Sequence, residues 1–384
     1  MSEYQYYEFV AIDRPLTAAE QAQLRAVSTR GRISASSFVN DYQWGDLKAD
    51  PRDWMQRYFD AHLYLANWGT RRIMLRLPAS LLDPALAAAY CVGDAASSFV
   101  SGEHVILDLH SEDEDGDEEW WEEGAALASI VPVRAELAAG DTRLLYLAWL
   151  LCVQNEELDE DALEPPVPPG LAQLSGPLRS LAEFLRVDLD LLETAAQASA
   201  PLTTKAPSAA ALAKWVKRLP VADKDEAIVR LLRGDGVHLR AELLRRYGGG
   251  ATDNSVEGGR TVGELLAGAE TRWTARQQQA AKRQAAEQAR REAVAAAARE
   301  QRLDELAADP ERAWQRVAEL IATKKPKEYD AAVALLADLK ALGERDGRRK
   351  AFRGRIHQLC QEHARKPSLL DRLERAGLYV STPS

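Results

Sequence analysis

With 384 residues and a net charge of −10, the chain is longer than one hydrophobic core usually spans, so two or three domains are expected. Its apolar stretches fall short of the roughly 18 to 20 residues that cross a bilayer, and the polar, aromatic start from Met1 to Glu8 lacks a basic segment followed by an apolar one. Neither a membrane span nor a signal peptide is expected, and three distant cysteines, Cys91, Cys152 and Cys360, argue against a disulfide framework and fit a reducing cytoplasm.

The first 150 residues mix strand and helix signals. Tyr4 to Ile12 is rich in aromatic and β-branched residues and predicts a strand. Thr17 and Glu20 form a capping-box pattern that starts a helix with Leu24 and Val27 on its stripe. Ile33 to Trp44 predicts a second strand. Asp50-Pro51 opens another helix, in which Trp54, Met55, Tyr58, Phe59, His62, Leu63 and Leu65 roughly follow the helical period. Arg72 to Leu77 alternates as a half-buried strand, and Ser80 to Tyr90 reads as a short helix. Val105 to Leu109 is a strand, with Leu127 to Val133 as its expected hairpin partner. This order suggests a small α/β sandwich, with a ferredoxin-like arrangement as one candidate.

Leu144 to Val153 reads as an apolar helix. Residues 155–177 then carry Pro165, Pro166, Pro168 and Pro169, the pattern of a stiff linker. Beyond it no strand pattern remains. Leu212, Trp215, Val216 and Leu219 mark one helix face, ended by Pro220. Asp223 to Arg233 and Val237 to Tyr247 are further short helices, each closed by Gly, and the set reads as helical hairpins. A Gly-rich linker follows at 248–260. Residues 261–308 predict one long helix whose centre is Ala, Gln, Arg, Lys and Glu, polar all round and without the apolar heptad of a coiled coil. Trp314 to Ile321, Tyr329 to Leu342, Phe352 to His363 and Ser368 to Ala376 complete a C-terminal helical domain over 309–378, with a tail at 379–384. The fold class expected is therefore α+β: an α/β domain over 1–154, a helical domain over 178–247, and an all-helical remainder with one long exposed helix.

The most unusual stretch is the acidic block from His110 to Gly124, where nine of fifteen residues are Asp or Glu and Trp120 and Trp121 sit among them. Ionised carboxylates do not leave water unpaired, so the loop at 111–123 is expected to be solvated or to meet a basic surface. Asp113, Asp115 and Asp117 match the first three ligand positions of a calcium-binding EF-hand loop. Glu118 stands where the turn needs Gly, however, and Gly124 where a bidentate Glu is needed. No metal and no cofactor is expected. Glu112, Asp113, Asp115 and Asp117 with the two tryptophans form a candidate protein-docking element, since large aromatics among charges make interface anchors.

Charge is split along the chain: residues 271–384 carry 24 Lys and Arg against 16 Asp and Glu, while residues 1–270 are strongly acidic. Arg283, Arg290 and Arg291 on the long helix, and Arg348, Arg349 and Lys350 further on, are candidate phosphate contacts, so nucleic acid is an alternative partner. The acidic loop could also pair with this basic arm. His357, Cys360 and His363 share a side of one helix without a fourth metal ligand, and Cys91 with His104 or His110 would make a thiol–imidazole pair. No phosphate loop, nucleophile elbow or zinc-protease helix is present.

The phrases Tyr58-Phe59-Asp60-Ala61-His62-Leu63-Tyr64-Leu65-Ala66-Asn67-Trp68-Gly69-Thr70-Arg71, His110 to Glu119 and Trp215-Val216-Lys217-Arg218-Leu219-Pro220 resemble a widespread bacterial protein family, over most of the chain. The resemblance implies a bacterial protein and supplies no activity. Ala364 to Leu373 is similar to the tails of bacterial SWIM zinc-finger proteins. The Cys-x-Cys and Cys-x-His ligand pairs of that finger are missing, so zinc and nucleic-acid binding do not carry over. The expected function is a non-catalytic, cytoplasmic adaptor for other proteins. The alternatives are a nucleic-acid accessory protein, or an enzyme of unrecognised type centred on Asp108 and His110.

Overall fold

The computed structural model describes residues 4–112, 126–202, 208–233, 238–247 and 259–379. The chain divides into two compact units, Met1–Arg276 and Gln277–Ser384.

The first unit is built on a seven-stranded sheet. Its strands are β1 (Gln5–Val10), β2 (Arg32–Ile33), β3 (Ser37–Tyr42), β4 (Ala61–Ala66), β5 (Arg71–Pro78), β6 (Ala96–Ser101) and β7 (His104–Ser111), in the order β2-β3-β1-β4-β5-β7-β6. Every neighbouring pair is antiparallel. Helices α1 (Ala18–Val27) and α2 (Pro51–Arg57) lie on one face, where Leu24, Trp54 and Met55 pack with Phe9, Phe38, Phe59, Met74 and Ile106. The expected caps are present: Thr17 and Glu20 bond reciprocally, and the Asp50 carboxylate accepts from the Arg52 amide beside Pro51. The opposite face, with Leu63, Ile73, Leu75, Leu107 and Leu109, is covered from α3 (Pro84–Tyr90), α4 (Ala126–Ile130), α5 (Val133–Ala138), α6 (Arg143–Gln154), α7 (Gly176–Phe184) and α8 (Leu189–Ala196). Helix α6 is buried from Arg143 to Val153, as a helix apolar on all sides must be.

Several sequence expectations are corrected. The α+β mixture holds, but seven strands replace the four of a ferredoxin-like layer. Leu127 to Val133 is not a strand; Leu127, Ile130 and Val133 are buried positions of α4 and α5, and Pro132 could not have donated to a sheet ladder. The true hairpin partner of β7 precedes it: β6 returns through Gly102, whose φ of +58° suits glycine. The helix opened by Pro51 stops at Arg57, and His62 to Leu65 belong to β4. The run from Trp54 to Leu65 fits both periods, and pairing with β1 and β5 on both sides decides for the strand. Strand β5 is not half-buried: Met74 and Arg76 on one face are as enclosed as Ile73 and Leu75 on the other. The Pro-rich segment 155–177 carries core positions. Val167 and Leu171 are buried in the sheet's own core, which continues into α7 and α8.

Helices α9 (Ala209–Arg218), α10 (Val221–Arg233) and α11 (Leu239–Tyr247) follow. Then α12 (Val262–Ala308) begins inside the first unit, with Val262 and Leu265 in its core, and continues into the second. Within the first unit Arg272 and Arg276 of α12 pair with Glu193 and Asp190 of α8. The centre of α12 is exposed on all sides. In the second unit α13 (Pro310–Ala322), α14 (Pro326–Arg345), α15 (Arg349–Glu362) and α16 (Pro367–Arg375) enclose Val317, Ile321, Leu336, Leu369 and Leu373. Among the described residues no helix is long and apolar enough to cross a membrane.

Candidate functional site

One group of chemistry-bearing side chains of the first unit lies on the sheet face that carries α1 and α2. Strand register sets Asn40, Tyr7, Tyr64, Arg72 and His110 in one row across five strands. The next row holds Phe38, Phe9, His62, Met74 and Asp108. Asp108, 1% exposed, accepts two hydrogen bonds from Arg72, both 2.6 Å, and one of 2.8 Å from Arg52. Burial alone would raise its pKa, but the two guanidiniums outweigh burial and hold the carboxyl below its ordinary range. A carboxylate occupied by two arginines is poorly placed to take a proton from a substrate.

The aromatic neighbours are equally committed. Tyr7 donates to Asp46 at 2.6 Å and Tyr64 to Gln5 at 2.9 Å. Burial, the largest cause, raises both phenols, Tyr64 to about 12. His62 lies against Phe9 with ring centroids 3.9 Å apart, and its Nδ1 donates to the Glu8 carbonyl at 2.9 Å. Burial pushes its pKa down to about 3, so the ring is neutral, and Nε2 has no hydrogen-bond partner among the described residues. Asp108, Tyr7, Tyr64 and His62 are thus each held away from the role of a nucleophile at neutral pH. Asp108 and His110 stand two residues apart on β7, as the enzyme alternative requires, but Asp108 serves as the anchor of two arginines.

The thiols point the same way. Burial pushes Cys91 up to about 12 and Cys152 and Cys360 up to about 11, so none is a reactive thiolate. Cys360 is buried in the second core, whereas His357 is exposed and bonds Gln361. Among the described residues no group of three His, Cys, Asp or Glu could hold a metal ion. A cleft of about 370 Å³ between α1 and α2 is floored by Trp54 and edged by Asp50, Asp53, Arg57 and Tyr58. Its Tyr58 hydroxyl is spent on Gln23 at 2.7 Å.

The acidic block opens on the last residues of β7, His110 and Ser111, and the next described element is the helix α4. Glu112 is exposed. Asp113, Asp115, Asp117, Trp120 and Trp121 lie outside the described residues, as does any pairing of that loop with the basic arm. Of the basic candidates, Arg283 and Arg290 are exposed on α12, where Arg291 pairs with Glu287. Arg348, Arg349 and Lys350 are exposed at the start of α15, with Arg349 3.3 Å from Glu344. Much of the remaining basic charge is matched locally, as in Arg345 with Asp304, Arg355 with Glu311 and Arg372 with Asp330.

The feature that sequence reasoning missed is on α10. This helix meets α11 through its charged side: Arg230 forms a two-bond pair with Glu242, and Asp223 pairs with Arg246. Asp223 and Arg230 are seven residues apart, hence on one face. At about 100° per residue, Val221, Ile228 and Leu232 lie roughly opposite them. They are 69%, 56% and 81% exposed, and Leu231 beside them is 63% exposed. On α9, Val216 is also exposed, while Trp215 packs edge-on against Tyr247. The periodicity was legible, but an apolar stripe ordinarily turns toward the core, and only the structure shows this one turned away. The hairpin is tied to the sheet by His238, 3.0 Å from Asp13, and by Arg245 donating to the carbonyls of Ser80 and Leu81. Comparison of the chain with protein-family models, with curated proteins and with solved structures finds no match.

Proposed function

We propose that the protein is a non-catalytic adaptor that binds protein through the apolar stripe of α10. The observation that carries this reading is the orientation of that helix, with Asp223 and Arg230 paired to α11 and its aliphatic face exposed. An exposed apolar patch marks an interaction surface more often than a tolerated defect. The alternative of catalysis near Asp108 and His110 draws no support from a carboxylate held by two arginines. Each aliphatic side chain buried by a partner contributes about 1.5–3 kcal/mol. The double substitution Ile228→Ser and Leu232→Ser should therefore weaken partner capture more than about a hundredfold, while exposed sites cost the fold about 0.5 kcal/mol or less each. Pull-downs of the full chain and the double variant from native cells, read by mass spectrometry, check this; an unchanged set of captured proteins overturns it.

A second reading has its own support. Helix α15 opens with Arg348, Arg349 and Lys350, has no acidic residue in its first turn and no side-chain cap. Positive charge at the positive end of a helix is locally unfavourable and suits an anionic partner such as a nucleic-acid backbone. Filter binding to duplex DNA at low salt tests it. Binding should fall, and its salt dependence flatten by about 0.9 per lost phosphate contact, when the three residues become Ala; no binding by the parent chain rejects it.

A further inference from the structure

We infer that the occupant of the α10 stripe is a second copy of this chain, packed antiparallel along α10 about a two-fold axis; this deepens the reading of α10 as a contact face and rests on it. Inside the stripe, between Val221 and Ile228, stand Lys224 and Asp225. Neither has an ion-pair partner among the described residues, whereas Asp223 and Arg230 on the other side are occupied by α11. The stripe thus presents an apolar surface interrupted by one positive and one negative charge, side by side.

That pattern is self-complementary in one orientation. In a two-fold contact, if residue i meets residue j then j meets i. An axis passing between Lys224 and Asp225 sets Lys224 against Asp225 of the second copy, twice. The same axis sets Val221 against Ile228 of the second copy, also twice, because both pairs are centred on the same point of the helix. Leu231 and Leu232 then reach toward the α9–α10 corner of the second copy, where Val216 is itself exposed. A parallel pairing would instead oppose Lys224 to Lys224 and Asp225 to Asp225. An unrelated apolar helix would leave both charges desolvated without partners, which disfavours it.

Sedimentation velocity on the full chain from micromolar to near-millimolar concentration tests the inference, with circular dichroism confirming that each variant keeps its helices. The parent should pass from monomer to dimer. Lys224→Glu and Asp225→Lys, each creating two like-charge contacts, should weaken the dimer by at least about tenfold. The double reversal Lys224→Glu/Asp225→Lys should restore it, and Leu232→Ser should weaken it without being rescued. A parent that stays monomeric overturns self-pairing, as does a dimer indifferent to either single reversal or a double reversal that fails to restore it. If the parent is monomeric while Ile228→Ser/Leu232→Ser still abolishes capture of another protein, self-pairing fails and the contact-face reading survives. If charge reversal behaves as stated but capture is unaffected, α10 is a dimer helix and the adaptor reading fails.

Discussion

Replacing Asp60 with Ala is expected to remove about 3–5 kcal/mol from the stability of the first unit, the typical result of stripping one partner from a buried ion pair. Asp60 is fully buried, at 0% exposure. Its Oδ1 accepts from Arg76 Nε at 3.1 Å and Nη2 at 2.8 Å, and its Oδ2 accepts from the amides of Ile12 and Asp13 at 2.6 and 2.9 Å. The substitution would leave an enclosed guanidinium with only the Met55 and Gln56 carbonyls and would orphan two backbone donors. Arg134 lies 3.9 Å away and is itself enclosed, bonded to Asp13 and to the Arg76 carbonyl, so the loss would spread to α5 and to the Asp13–His238 tie. Domains hold only about 5–15 kcal/mol in total, and the variant should be partly unfolded at 37 °C. Glu287→Ala, which breaks an exposed pair with Arg291 on α12, should cost no more than about 0.5 kcal/mol. Urea unfolding followed through hydrogen exchange of the β1 and β4 amides measures both; a cost below about 1 kcal/mol for Asp60→Ala would show that water or rearrangement satisfies Arg76.

Acidification should destabilise the same sheet well above the carboxylate range, because of His62. Its pKa in the folded protein is lowered from 6.5 to about 3, chiefly by burial. The unfolded chain therefore binds a proton between those values that the folded chain refuses, so stability rises with pH across that window. The contribution is intact above pH 6.5 and declines as pH falls toward 3, by on the order of 5 kcal/mol for the full window. Asp13, held down to about 2 by His238 and Arg134 against the opposing effect of burial, adds a loss lower down. Being depressed in the folded state, it stabilises above its ordinary value near 4 and ceases to do so as pH falls toward 2. His62→Phe keeps the ring packed on Phe9 and gives up the bond to the Glu8 carbonyl. It should lower stability at neutral pH yet flatten the slope between pH 6.5 and 4; a variant as acid-sensitive as the parent would move the cause to another group. Exchange of the β4 amides reports this for the first unit by itself, which matters in a chain whose two units need not unfold together.

The legible parts of the fold were those in which local chemistry and tertiary placement agree. Thr17 with Glu20, Asp50 with Pro51, and the Ala- and Arg-rich run of α12 carry their structure in short-range patterns, and the caps and the long exposed helix are as expected. The last four helices were also readable, since apolar residues such as Val317 and Ile321 recur at helical spacing, and with Leu336 and Leu369 they form the core. Illegible parts involve choices between neighbours. Residues 61–66 satisfy both the helical and the strand period, and only strands on both sides select the strand. The β6–β7 hairpin was hidden because its serines carry little strand signal, while Leu127 to Val133 offered a stronger apolar run that the topology uses as helix.

The candidate site divides along the same line. Composition and spacing established by themselves that the chain lacks familiar catalytic motifs, that acidic and basic charge are segregated along it, and that its later part is a series of helices. These are properties of residue types and intervals, and they need no partner to be true. Tertiary structure alone decided that Asp108 would be consumed by Arg52 and Arg72, that Asp60 would hold the bend before β4, and that Val167 and Leu171 of the Pro-rich segment would join the core. It also decided that α10 would meet α11 through Asp223 and Arg230, leaving Val221, Ile228 and Leu232 outside. The periodicity of a helix says that it has an apolar side; which way that side faces depends on the surfaces available to it, and here Asp223 and Arg230 pair with α11 while the apolar side is exposed.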